Sequence, residues 1–124
     1  MSQQEQPGDT SDPIFSNILA ECPELWDIIE QFARGLPNQL DEMQQAFEHD
    51  SYDQLIEWAR TLAKAGRGHG YPELVAYAAA VERSARDHLV DALEAQLTDL
   101  RDISRQIQAG IDMKDPVDDQ SGKE

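Results

Sequence analysis

The strongest constraint in this chain is the apolar run Leu25, Ile29, Phe32, Leu36, Leu40, Met43 and Phe47, in which every step is three or four residues. That spacing returns to one face of an α-helix and cannot serve a strand, whose faces alternate at every second residue. It predicts one amphipathic helix of about six turns. Gly35 and Pro37 lie inside the run, and each disfavours a helix interior, yet the phase holds straight across them. A kinked single helix is therefore expected rather than two helices. Pro23 suits its first turn, and Glu24 and Asp27 favour its positive N-terminal end.

Three further stripes follow. Asp50 and Ser51 offer caps for a helix burying Leu55, Ala59, Leu62 and Gly66, and the glycine-rich run Gly66, Gly68, Gly70 ends it. Tyr71 and Pro72 open a third helix with Leu74, Ala78, Val81 and Ala85 inward, and Leu89, Leu93, Leu97, Leu100, Ile103 and Ile107 mark a fourth. Short connections near residues 48–51, 66–71 and 86–88 make neighbours antiparallel. The expected fold is all-α: an up-down-up-down four-helix bundle over residues 13–109, opened by a short N-terminal helix near residues 13–20. Residues 1–12 and 110–124 are polar, with too little apolar surface to order themselves, and are expected to be disordered tails.

A length of 124 residues fits one domain. Ten Lys and Arg against 25 Asp and Glu leave a net charge of −15, which a phosphate backbone would repel, so nucleic acid is not an expected partner. No window approaches the roughly 18 consecutive apolar residues of a membrane span, and a cytoplasmic monomer is expected. The lone Cys22 has no disulfide partner and shows no zinc spacing with His49, His69 or His88, so neither metal nor cofactor is expected. Against the acidic background, residues 60–86 carry a net charge of +3. Arg60, Lys64 and Arg67 fall on one face of the second helix. Such a face is either solvated and paired with nearby acids such as Glu57, or a docking site for an acidic surface.

The stretch Trp58–Leu74 resembles the signature of histidine-containing phosphotransfer (HPt) domains, which relay phosphate in two-component signalling. The family pattern is Ala-His-x-Leu-Lys-Gly, then small residues, an aromatic, Gly, an aromatic, often Pro, an acidic residue and Leu. Ala59, Leu62, Ala65, Gly66, Gly68, Gly70, Tyr71, Pro72, Glu73 and Leu74 fit it. The likeness extends outward through Pro13-Ile14-Phe15, Pro23-Glu24-Leu25, Leu36-Pro37 and Val81-Glu82, and covers residues 13–107. The departures fall on the chemistry. Arg60 stands at the phosphoaccepting histidine, Ala63 at the family lysine and Lys64 at the neighbouring glycine. A neutral imidazole can attack an aspartyl phosphate, whereas a guanidinium stays protonated with delocalised lone pairs. No catalytic residue is therefore assigned. The resemblance implies a non-catalytic adaptor that binds a response-regulator receiver domain or a histidine kinase through Arg60, Lys64, Arg67, His69 and Tyr71. Two alternatives stay open: phosphotransfer through His69, and a helical oligomerisation module.

Overall fold

The four apolar stripes become four helices in the computed structural model, which describes residues 12–114: α1 (Trp26–Glu48), α2 (Tyr52–Gly68), α3 (Pro72–Arg86) and α4 (Val90–Lys114). Each helix packs against its neighbours in sequence, and α4 closes the ring on α1. The core gathers Ile29, Leu36, Leu40, Met43, Leu55, Leu62, Leu74, Val81, Leu93, Leu100 and Ile107, nearly all without solvent contact. This is the expected antiparallel bundle. The short N-terminal helix takes the form of a turn at residues 17–21, closed by Cys22 N–H to Ile18 O (2.8 Å), and a 3-10 turn at Pro23–Leu25 that leads into α1.

Helix α1 runs through Pro37 unbroken. Proline lacks the N–H that would bond the carbonyl four residues back, here that of Ala33. The orphaned oxygen is satisfied from α4, where Gln108 Nε2 donates to Ala33 O at 2.5 Å. Gln108 is steadied in turn by Arg34, whose Nη1 donates to Gln108 Oε1 at 3.3 Å and whose Nη2 pairs with Asp112 at 2.8 Å.

The three reversals share one hydrogen-bond pattern. Ser51 N–H bonds Ala46 O, Tyr71 N–H bonds Gly66 O, and Leu89 N–H bonds Ser84 O, at 2.8, 2.8 and 2.9 Å. A shorter bond nests inside each, and the residue between is left-handed: Asp50 at φ 56°, Gly70 at 82° and His88 at 54°. These are Schellman endings. They correct two sequence expectations. Asp50 terminates α1 and does not cap α2; Ser51 holds the cap position, without a side-chain bond. Leu89 lies just ahead of α4, its N–H bonded to Ser84 O in the Schellman ending of α3, and its side chain is 48% exposed and not part of the buried stripe.

The far end of α4 departs from the sequence boundary at residue 109. The helix continues to Lys114, with Gly110 and Ile111 buried. The cause lies at the other end of the chain. Residues 12–22 form a strap across the bundle: Ile14 N–H donates to Gln106 O, Gln106 Nε2 donates to Asp12 O, and Asn17 N–H donates to Gly70 O, each at 2.9 Å. The backbone of Ile14 lies directly over Gly110, where a Cβ would collide with the Ile14 carbonyl. Of the tails expected at residues 1–12 and 110–124, the stretches 1–11 and 115–124 lie outside the described residues.

Candidate functional site

Small residues bring α2 and α3 close together. At Gly66 a Cβ would lie 2.9 Å from Leu74 Cβ and 3.3 Å from Tyr71 O, and Ala59 and Ala78 are fully buried. The tight seam sets the outer faces of the two helices side by side. Arg60 from α2 meets Glu82 from α3, its Nε donating to Glu82 Oε2 at 2.9 Å. Arg86, one turn beyond Glu82, places Nη2 2.7 Å from the same oxygen. Both guanidinium groups are about half exposed, and the carboxylate between them is 22% exposed. Lys64 and Arg67 extend the cationic row along α2 and form no ion pair among the described residues. Arg67 overlooks a shallow groove lined by Asn17, Gly70, Tyr71, Pro72, Val75 and Ala76.

The structure therefore brings Arg60, Lys64 and Arg67 onto one face, as their spacing predicts, and adds Glu82 and Arg86. The Glu82–Arg86 pairing has a sequence signal in its four-residue spacing; the Arg60–Glu82 contact has none, since it depends on how α2 and α3 are set against each other. Of the two readings of this face, pairing with a nearby acid occurs at Arg60, where the acid is Glu82 across the seam and not Glu57.

His69 does not join that face, and Tyr71 reaches it only as the floor of the groove beside Arg67. Nine residues past Arg60 is half a turn out of phase, so His69 points toward α1. There its ring stacks on Phe32 with centroids 4.3 Å apart, Nδ1 lies 2.7 Å from Ala65 O, and its carbonyl accepts the Ser16 hydroxyl at 2.6 Å. A carbonyl only accepts, so Nδ1 carries the hydrogen and the lone pair of the neutral ring falls on Nε2. Tyr71 is 1% exposed, which corrects its expected place on a partner-facing surface: it belongs to the core. Burial, with a smaller contribution from the Glu73 carboxylate, pushes its phenol up to about 12.

A permanent cation held beside a carboxylate can attract and orient an anion but cannot take a phosphoryl group onto a nitrogen lone pair. Among the described residues no group of three or more His, Cys, Asp or Glu could hold a metal ion, and no helix is long and apolar enough to cross a membrane. Compared with known families, the chain matches the model described as Hpt domain over residues 27–110, from the first turn of α1 to the buried glycine under the strap. No curated protein and no solved structure matches it.

Proposed function

Because this chain belongs to the Hpt-domain family, and so to phosphorelay signalling, in which such domains carry phosphoryl groups and meet receivers and kinases, we propose that it is an adaptor of that system which docks without accepting phosphate. One observation supports this reading: Arg60, which the sequence resemblance sets at the family's acceptor position, lies half exposed on the α2–α3 face and is bonded to Glu82. Receiver domains present acidic residues around their phosphorylatable aspartate, and the row Arg60, Lys64, Arg67 is complementary to such a surface. Bulk at Lys64, where the family has glycine, alters how closely a receiver approaches. Binding without turnover sequesters the receiver from its other partners.

Titration of the protein against candidate receivers, followed by NMR or calorimetry, tests this. Docking is expected to perturb the 60–67 face, to weaken as ionic strength rises, and to fall at least about tenfold in Arg60→Glu, which turns an attraction into a repulsion. Unperturbed resonances on that face would end the docking reading.

A second reading is favoured by one feature, the Nε2 lone pair, without a hydrogen-bond partner among the described residues, that the Ala65 bond leaves on His69. Exposure to a phosphorylated receiver decides between them. Acid-labile phosphate that appears on the protein and is absent from His69→Ala would assign phosphotransfer to His69 and displace the adaptor.

A further inference from the structure

The way Glu82 holds the two arginines has a consequence beyond charge neutralisation. Arg60 reaches Glu82 through Nε, which leaves its Nη1 and Nη2 without a partner among the described residues; Arg86 uses Nη2 and keeps Nε and Nη1 free in the same sense. Both groups converge on one oxygen, so their remaining N–H donors are gathered within a guanidinium's width of a common point on a half-exposed surface. Guanidinium forks of this kind match the oxygens of a phosphoryl group. Anchoring each by one nitrogen removes part of the rotamer freedom that anion binding would otherwise cost. Lys64 stands one turn along α2 from Arg60, so the cluster Arg60, Arg86, Lys64 and Glu82 has two positive charges in excess. A phosphoryl group carries a charge of about −2.

We propose that Arg60 and Arg86, yoked by Glu82 and flanked by Lys64, form an oxyanion fork that recognises the phosphoryl group on a receiver's aspartate instead of removing it. This deepens the adaptor reading and rests on it for the partner, since it makes the phosphorylated receiver the preferred form. No bond is made or broken. The fork binds the phosphoryl oxygens and leaves the acyl phosphate to its own hydrolysis.

The fork is tested first on the full chain with inorganic phosphate, following arginine Nε–H resonances by NMR and using chloride at matched ionic strength as reference. Saturable shifts are expected at Arg60 and Arg86, with affinity reduced about tenfold in Arg60→Gln and in Arg86→Gln, the loss of one charge-assisted contact pair. Arg101→Gln, which breaks the remote pair with Asp41, should leave the affinity unchanged. Shifts that never saturate, or affinity retained in both fork variants, would overturn the proposal. A second measurement compares a receiver with and without its aspartyl phosphate. The phosphorylated form should bind about tenfold tighter, and Arg86→Gln should abolish the difference; equal affinity in the wild type refutes phosphoryl recognition. Docking in neither form ends the adaptor reading and removes the receiver as the source of the phosphoryl group, whereas saturable phosphate binding would still uphold the fork.

Discussion

At Gly66 and Tyr71, single residues set how α2 and α3 meet. A methyl group at Gly66 would press on Leu74 Cβ and on the Tyr71 carbonyl, and a backbone oxygen cannot swing aside as a side-chain tip can. Overpacking costs about 1–3 kcal/mol, against about 1 kcal/mol gained from alanine's better helix propensity. Gly66→Ala should therefore lower stability by up to about 2 kcal/mol in urea unfolding; an unchanged midpoint would mean that the α2–α3 seam accommodates a methyl group. Tyr71 makes a pH prediction. Its phenol is raised from 10.0 to about 12, so above pH 10 the unfolded chain gives up a proton that the folded chain retains. The contribution to stability is fully present below pH 10 and is lost toward pH 12, with a slope of at most about 1.4 kcal/mol per pH unit. Tyr71→Phe should flatten that slope. If the wild type and the variant lose stability in parallel over this range, the phenol is not the cause.

At the scale of elements, α1 depends on α4 for more than apolar contact. Pro37 strands the Ala33 carbonyl, and Gln108 supplies the missing donor from the facing helix. Gln108→Ala leaves that carbonyl unpaired, at a cost of about 1–3 kcal/mol. Pro37→Ala restores an N–H within α1, so in that background Gln108→Ala should cost far less. A double-mutant cycle measured by denaturant unfolding checks this; additive effects would show that the two residues do not share the Ala33 oxygen. The apolar stripe across Pro37 was visible in the sequence because periodicity is local. Gln108, 75 residues from Ala33, carries no such signal. The same distinction applies to the helix ends. Gly70 announces a left-handed ending by its residue type, whereas Asp50 and His88 adopt that conformation because the Schellman bonds around them require it.

Over the whole molecule, two features depend on contacts remote in sequence: the strap that joins both ends of the fold, and a basic α2–α3 face on a chain of net charge −15. Gly110→Ala should lift the strap, since its Cβ would displace the Ile14 carbonyl. Hydrogen exchange should then speed up at the Ile14 and Asn17 amides, which bond to Gln106 and Gly70, while core amides such as Leu93 and Leu100 keep their protection. Unchanged exchange at Ile14 would contradict the close crossing. Sequence alone determined the four stripes, their antiparallel order, the cationic row on α2 and the family likeness around Trp58–Leu74. Each of these is written in residues a few positions apart, where helical periodicity turns spacing directly into a face. Tertiary structure alone decided that Tyr71 is buried, that His69 turns toward Phe32, that α4 outruns residue 109, and that Glu82 gathers Arg60 and Arg86 onto one oxygen. These follow from the relative rotation and depth of packed helices, which the spacing of residues along one helix does not specify.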